Sequence, residues 1–156
     1  MVLRESGRKN NETIIYKKEI AKAIQTYNIG SICLFQGAPH EQAAAINYFQ
    51  SLAKTPLLVC IDGETGLGMR IDSVYKFPEQ LTLGATSDSF LIYETGKAIG
   101  QQCLRLGIQV NYAPVIDINN NPNNPVINFR SFGENKYKVA SYGEAIMHGM
   151  QDAGIM

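Results

Sequence analysis

Short apolar runs alternate with longer helical patterns along this 156-residue sequence, and this alternation limits the choice of fold more than any other feature. Apolar residues recur with helical spacing in the longer segments, whereas the short runs are typical of buried strands. In chain order the segments are helix 12–28, strand 31–35, helix 40–53, strand 57–61, helix 89–106, strand 108–117 and helix 136–153. Strands separated by helices of this length predict right-handed βαβ units and a parallel sheet, so the expected fold class is α/β.

The predicted helix ends carry residue types that favour helix caps. Asp88 and Asn135 precede the last two helices, and short polar side chains at such positions accept hydrogen bonds from free main-chain N–H groups. Gly107 and Gly154 follow the same helices, where glycine readily adopts the left-handed conformation that ends a helix. Pro39 stands at the first turn of the second helix, which is a favourable position for proline.

The first helix has an apolar face of Ile20, Ile24 and Tyr27, with lysines around the rest. Gly30 follows at a position where a left-handed cap is expected. The pattern therefore predicts a helix that ends just before the first strand.

Composition and charge indicate one globular domain that covers residues 1–156. The sequence is 45% hydrophobic and 18% charged with a formal net charge of zero, so no basic excess favours nucleic acid as a partner. No apolar run approaches the roughly 18 to 20 residues that a spanning helix needs, so no membrane partner is predicted. The first twelve residues also lack the features of a signal peptide.

The cysteines and histidines do not form a pattern typical of a metal site, a disulfide framework or a catalytic triad. Cys33 and Cys60 lie within strand-like runs and Cys103 within a helical one, which favours buried free thiols. His40 stands at a helix start and His148 lies inside a helix, and neither has an acid or cysteine nearby at ligand spacing. The sequence predicts no cofactor and no metal ion.

Polar side chains stand where the predicted strands end. Gln36 follows the first strand, Asp62 and Glu64 follow the second, and Asp117 ends the third. An open doubly wound sheet usually places a glycine-rich phosphate turn after an early strand, whereas a (β/α)8 barrel places polar side chains at the carboxyl ends of several strands. The sequence shows the second pattern, so we expect part of a (β/α)8 TIM barrel with its site at those ends.

The length of the chain limits this interpretation. A complete barrel needs roughly 200 residues or more, whereas this chain supplies about four βα units if residues 1–3 form an early strand. The chain is therefore either half of a barrel or a smaller α/β domain.

Several segments resemble glycoside hydrolase family 3 in their order and spacing. They read GSICLFQGAP, PLLVCIDGETGLGMR, FPEQLTLGAT and, from residue 98, AIGQQCLRLGIQVNYAPVIDINNNPNNPVINFRSFGENKYKVASYGEAIMHGMQDAGI. The similarity begins near residue 28 and is to the first half of the family's catalytic barrel, with the β-N-acetylhexosaminidase branch favoured over the β-glucosidase branch. It implies a (β/α)8 barrel and retaining hydrolysis of terminal β-linked sugars.

The resemblance assigns a substrate-binding role to Asp62. A carboxylate can accept hydrogen bonds from two sugar hydroxyls, which fixes the orientation of the ring, and Asp62 resembles the family's aspartate that holds the terminal sugar in this way. Glu64 either contacts the sugar directly or supports the loop that carries Asp62 without touching the sugar. Without the resemblance, the two acids fit a capped turn in which both are solvated.

Arg130 and Arg70 are the cationic candidates, because a guanidinium offers five donors that suit sugar hydroxyls and neighbouring carboxylates. Arg130 resembles the family's sugar-binding arginine. Arg70 is either a member of the site or a surface arginine, since its LGMR segment departs from the commoner family form. Asp117 either pairs with Arg130 or caps the asparagine-rich loop that follows it.

The resemblance also implies that this chain contains no catalytic residue. In the family the Lys-His pair, the acid/base loop and the nucleophilic aspartate all follow the point that matches residue 156. The main expectation is therefore a fragment whose partners are a carbohydrate with a terminal β-linked sugar and the remainder of the parent barrel.

Two alternatives stay open. One is a non-catalytic half-barrel or flavodoxin-like module that binds a small ligand or a partner, and the other is a β-glucosidase-like member of the same family. The compartment is also open, because a parent chain with a signal peptide is periplasmic or secreted and one without it is cytoplasmic.

Overall fold

A computed structural model of the chain describes residues 2–4 and 10–156, with side chains described from Lys17 onward. Its strands and helices alternate, as the sequence pattern predicts. In chain order they are β1 (Val2–Arg4), α1 (Asn10–Tyr27), β2 (Ser31–Gln36), α2 (Pro39–Leu52), β3 (Leu58–Ile61), α3 (Gln80–Gly84), α4 (Ser89–Leu106), β4 (Val110–Asn111) and α5 (Lys136–Asp152), with short 3₁₀ turns at Leu67–Met69 and Asn128–Arg130. The predicted α/β class is confirmed.

The four strands form one parallel sheet in the order β1-β2-β3-β4. Cys33 of β2 pairs with Cys60 of β3, and Cys60 pairs with Val110 of β4. Met156 extends the same pattern, because its N–H donates to Gln109 and its carbonyl accepts from Asn111 at 2.9 and 2.8 Å. All strands run in one direction, so their carboxyl ends lie along one edge of the sheet.

Alternate residues of the strands face a helical layer. Ile32 and Leu34 of β2 and Val59 and Ile61 of β3 are fully buried and belong to the hydrophobic core. Leu58, on the other face of β3, is 45% exposed. Burial of the first face fixes the strand register, because a slip of one residue would turn these side chains away from the helices.

Helices α4 and α5 pack closely because glycines stand at their contact. A methyl group on Gly96 would collide with the carbonyl of Ile146, and one on Gly149 would collide with the carbonyl of Tyr93. This close contact fixes α5 against α4 and thereby positions the long loop between β4 and α5.

The predicted caps of α4 and α5 are confirmed. The side chain of Asp88 accepts hydrogen bonds from two N–H groups at the start of α4, and Asn135 does the same for α5. Gly107 and Gly154 have positive φ angles of 79° and 92°. Pro39 occupies the first position of α2.

The prediction for the end of α1 is wrong in two details. Ile20 and Ile24 are buried as expected, but Tyr27 is 75% exposed and does not belong to the apolar face. The left-handed residue after the helix is Asn28, with φ of 49°, rather than Gly30. Asparagine tolerates this conformation better than most residues, which explains the shift of the cap.

The third predicted strand is much shorter than expected. The sequence predicts a strand over 108–117, whereas β4 contains only Val110 and Asn111. Tyr112 still donates its N–H to Ile61 at 2.8 Å, but the chain then leaves the sheet and reaches the cis peptide bond between Ala113 and Pro114. The apolar residues that follow have the sequence pattern of a strand but are not part of β4. Ile116, for example, is 65% exposed.

None of the helices in the described part of the chain combines the length and the apolar character that spanning a lipid bilayer requires.

Candidate functional site

Asp62 is the first residue after β3, and Arg70 holds it by two hydrogen bonds. The Nη2 atom of Arg70 lies 2.5 Å from Oδ2 of Asp62, and its Nε donates to the main-chain carbonyl of Asp62 at 2.7 Å. The guanidinium also lies over the ring of Phe35, 4.2 Å from the ring centre. Arg70 therefore fixes both the side chain and the main chain at Asp62, and its side chain is only 17% exposed.

Glu64 and Arg130 form a second pair across 66 positions of sequence. Nε of Arg130 lies 3.1 and 3.0 Å from the two carboxylate oxygens of Glu64, and Nη2 lies 2.8 Å from Oε1. Glu64 is 4% exposed and Arg130 is 38% exposed. The buried carboxylate thus anchors a guanidinium whose outer part remains accessible.

The two pairs occupy one region at the carboxyl ends of β3 and β4. The hydrogen bond to Glu64 raises the pKa of Arg130 above its usual value, and the charges of Asp62 and Asp117 raise it further. Asp62 and Glu64 lie two residues apart on the loop after β3, and Arg130, on the loop after β4, pairs with Glu64, so the two loops bring their charged side chains to one place.

Hydrogen bonds between a side chain of β4 and the main chain hold the turn that carries Asp62 and Glu64. The buried side chain of Asn111, the last residue of β4, accepts the N–H of Gly63 at 2.9 Å and donates to the carbonyl of Gly63 at 3.2 Å. Gly63 lies between Asp62 and Glu64, so this two-point contact fixes the spacing of their carboxylates relative to β4.

The loop that continues after this turn is also tightly folded. Gly66 has φ of 81°, and a methyl group there would lie 2.7 Å from the Gln102 amide and 2.8 Å from the ring of Phe77. Gln102 accepts the N–H of Leu67 and donates to the carbonyl of Tyr75, both at 3.0 Å. This packing fixes the loop in which Arg70 lies.

The segment around Arg130 is held by Gln80, the first residue of α3. Its side-chain amide contacts both main-chain groups of Val115 and the carbonyl of Arg130. The hydroxyl of Ser131 donates to the main-chain carbonyl of Asp117 at 2.6 Å. These contacts join the segment after β4 to the 3₁₀ turn that ends at Arg130.

The structure corrects the expectation for Asp117. Arg130 pairs with Glu64 and not with Asp117, which acts on Arg130 only through its charge at longer range. The asparagine-rich loop is capped by its own side chains, because Asn121 and Asn124 accept main-chain N–H groups two and three residues ahead. The side chain of Asp117 is therefore not the cap.

The sequence predictions and the structure differ most in the neutral residues of this region. Asp62, Glu64, Arg70 and Arg130 are brought together, and their roles in binding stay predictions. Asn111 and Gln80 were missed, although both are at least 95% buried. Asn111 falls inside a predicted strand and Gln80 in a predicted loop, and a single asparagine or glutamine at such a place looks like an ordinary polar residue in one sequence, so no local signal marked them.

Cysteine thiols lie near this region, since the charges of Asp62 and Arg70 act on the pKa of the Cys33 thiol, which burial raises most. The three cysteines are free, and burial raises the pKa of the Cys103 thiol to about 12. No group of three or more histidine, cysteine or acidic side chains is placed to hold a metal ion among the residues that the structure describes.

The arrangement suits a ligand that is rich in hydroxyl groups. Oδ1 of Asp62 accepts no hydrogen bond from the described residues, and the Asp62 side chain is 35% exposed. Arg130 has five N–H groups, of which Glu64 and the Val126 carbonyl engage those on Nε, one on Nη2 and one on Nη1. A carboxylate oxygen and two N–H donors are thus available to a ligand.

A parallel sheet covered by helices, with charged side chains on the loops after its strands, is the arrangement found in the wall of a (β/α) barrel. The chain belongs to glycosyl hydrolase family 3, because the model of the family's N-terminal domain matches residues 7–156.

Individual relatives agree with this assignment. The chain is 35% identical over 151 residues to β-hexosaminidase A of Pseudoalteromonas piscicida, and 28% identical over 128 residues to a β-N-acetylglucosaminidase/β-glucosidase of Cellulomonas fimi. A solved family 3 β-N-acetylglucosaminidase from Paenibacillus sp. str. FPU-7 is 36% identical and superimposes with a TM-score of 0.77.

The chain spans about a quarter of the length of these relatives. It covers 25% of the Pseudoalteromonas protein, 23% of the Cellulomonas protein and 28% of the Paenibacillus chain, while 88%, 82% and 88% of its own residues are matched. The predicted partial barrel therefore agrees with the comparisons: the structure corresponds to a part of the barrel domain of family 3.

Proposed function

We propose that this chain supplies the sugar-binding wall of a retaining exo-β-glycosidase that removes terminal β-linked N-acetylglucosamine. The observation that carries the proposal is the pairing of Asp62 with Arg70 and of Glu64 with Arg130 at the carboxyl ends of β3 and β4. The relative at 35% identity is named a β-hexosaminidase, and the solved relative at 36% identity is named a β-N-acetylglucosaminidase; the second name favours N-acetylglucosamine as the sugar.

In this proposal Asp62 and Arg130 bind the sugar, and Arg70 and Glu64 hold them in place. Asp62 accepts hydroxyl protons through its accessible oxygen, while Arg130 donates to hydroxyl oxygens from the N–H groups that Glu64 leaves free. A largely buried partner of opposite charge behind each contact, Arg70 for Asp62 and Glu64 for Arg130, reduces the cost of placing charge in a partly dry cleft. Bond cleavage requires a nucleophile and an acid/base from the remainder of the barrel.

The test compares the 156-residue chain with the complete barrel enzyme that the proposal requires. The complete enzyme should hydrolyse 4-nitrophenyl N-acetyl-β-D-glucosaminide, and the isolated chain should release no nitrophenol above background, because it lacks the residues that form a covalent intermediate. Turnover by the isolated chain that survives repurification would contradict the proposal.

A preference of the complete enzyme for 4-nitrophenyl β-D-glucoside is the outcome that the β-glucosidase alternative predicts. The Cellulomonas relative, whose name includes both activities, gives a specific reason to measure both substrates. A ratio of kcat/KM values that favours the glucoside would replace N-acetylglucosamine with glucose in the proposal and leave the binding wall unchanged.

A further inference from the structure

Gln80 has an unusual set of contacts for a side chain at the start of a five-residue helix. It is 1% exposed, and its amide makes three hydrogen bonds, all to main-chain groups. Oε1 accepts the N–H of Val115 at 3.1 Å, and Nε2 donates to the carbonyls of Val115 and Arg130 at 2.7 and 2.6 Å. Both amide hydrogens and the oxygen are therefore used.

These contacts join two separate parts of the long loop between β4 and α5. Val115 lies in the irregular segment after β4, and Arg130 ends the 3₁₀ turn that precedes α5. A glutamine is well suited to the junction, because its amide offers one acceptor and two donors in one plane. The carbonyl of Arg130 is thus fixed relative to β4 by one side chain.

A second feature shows that α3 supports the chain next to Arg130. A methyl group on Gly84, the last residue of α3, would collide with the carbonyl of Phe132. Phe132 is 2% exposed and packs edge-on against Tyr142, with ring centres 5.8 Å apart. Both ends of this short helix therefore contact the main chain of residues 130–132.

We propose that Gln80 is a positioning residue that acts through Arg130. By fixing the Arg130 carbonyl, it sets the point from which the side chain must reach Glu64 while presenting its remaining N–H groups to the sugar. The inference rests on the proposed function, since it assigns to Gln80 a role in a contact between Arg130 and the substrate.

Gln50 provides a matched control elsewhere in the chain. Its amide contacts both main-chain groups of Leu57, with Nε2 2.8 Å from the carbonyl and Oε1 3.0 Å from the N–H. This contact lies just before β3, at the opposite end of the strand from Asp62. Gln50→Met and Gln80→Met thus both remove a two-point amide contact to the main chain of one residue, and only Gln80→Met also removes a contact to Arg130.

The experiment is a double-mutant cycle in the complete barrel enzyme, with kcat/KM for the N-acetylglucosaminide and Tm as readouts. Gln80→Met should lower kcat/KM about 10- to 100-fold, because small displacements of a binding group cost this much. In an Arg130→Met background the same change should cost no more than about twofold, because the group that Gln80 positions is already absent. The Tm should fall equally in both backgrounds.

Gln50→Met should lower Tm and leave kcat/KM within about twofold of the unchanged enzyme. If Gln80→Met prevents folding, Gln80→Asn takes its place, because it keeps an amide but is one methylene too short to reach Val115 and Arg130 together. Its penalty on kcat/KM should likewise shrink to about twofold or less in the Arg130→Met background.

Three results would overturn the inference, and they are distinguishable. A Gln80 penalty on kcat/KM that persists in full in the Arg130→Met background means that Gln80 does not act through Arg130. An unchanged kcat/KM in the Gln80→Met enzyme, with or without a loss of Tm, means that Gln80 serves the fold alone. If Arg130→Met itself leaves kcat/KM unchanged, then the proposed function is wrong at Arg130 and the role of Gln80 falls with it.

Discussion

The two ends of β3 are held by the same kind of amide contact but differ in charge. Near its amino end, Gln50 binds the main chain of Leu57, and Gln109 accepts the N–H of Val59 at 2.8 Å. Past its carboxyl end, Asn111 binds Gly63 in a similar way, and two ion pairs are added on either side of that glycine.

This difference distinguishes contacts that stabilise the fold from contacts that bind a ligand. Neutral amides satisfy buried main-chain groups at either end, which stabilises the strand without introducing charge. Placing a carboxylate such as Glu64 at 4% exposure is costly unless it is paired, and a neutral contact would serve the fold equally well. We therefore attribute the charged pairs at the carboxyl end to binding, and mutations at the two ends should have different effects.

The largest effect on activity is expected for Asp62→Ala in the complete barrel enzyme. The change removes the carboxylate that accepts sugar hydroxyls and leaves Nη2 of Arg70 without its carboxylate partner. Because such contacts strengthen as the ring distorts, kcat/KM should fall about 10²- to 10³-fold, equivalent to about 3–4 kcal/mol. Steady-state kinetics with the N-acetylglucosaminide would measure this effect. An Asp62→Ala enzyme with unchanged kinetics would remove Asp62 from the site.

A smaller effect is expected for Glu64→Gln, which keeps the shape of the side chain but removes its charge. The amide retains one oxygen for Arg130 and turns its NH₂ group toward the guanidinium donors. We expect a loss of about 10- to 100-fold in kcat/KM, because hydrogen bonds to charged groups contribute about 1.5–3 kcal/mol. The partial exposure of Arg130 limits the accompanying loss of unfolding free energy to about 1–3 kcal/mol.

Two measurements on the Glu64→Gln enzyme separate these effects. Denaturant unfolding gives the change in stability, and kinetics at a temperature well below the melting transition gives the change in activity. Normal kcat/KM together with reduced stability would show that the pair serves the fold alone, as the amides at the other end of β3 do.

The smallest effect on activity is expected for Gln50→Met at the amino end of β3. The change leaves the N–H and carbonyl of Leu57 without their partner, so the free energy of unfolding should fall by about 1–3 kcal/mol. The kcat/KM value should stay within about twofold, because the change is remote from the sugar-binding side chains. A loss of activity comparable to that of Glu64→Gln would show that the two ends of β3 do not differ in their importance for activity.

Much of the fold could be predicted from the sequence because its signals are local. The caps at Asp88 and Asn135 depend on residues two and three positions away, and the burial of Ile32 and Leu34 follows from an apolar run. The extent of β4 was overestimated because Ile116 continues an apolar pattern after the chain has left the sheet. Strand length depends on pairing with β3, which no local pattern records.

The site could be predicted only in part, because many of its contacts join residues that are far apart in the sequence. Charged residues at strand ends marked Asp62 and Glu64, and the family resemblance marked Arg130. The partner of Arg130 was not predicted, because Asp117 is nearer in sequence than Glu64, which lies 66 positions away. Asn111 and Gln80 act on main-chain groups of distant segments, and contacts of this kind leave no trace in the residue types of one sequence.

The central claim is that the carboxyl ends of β3 and β4 form a sugar-binding wall, and a crystal structure of the complete barrel enzyme with N-acetylglucosamine tests it most directly. The account predicts that a carboxylate oxygen of Asp62 and an Nη atom of Arg130 each lie within about 3.2 Å of a sugar oxygen, with the Glu64–Arg130 pair intact. A sugar bound elsewhere, with both side chains free of contact to it, would contradict the account.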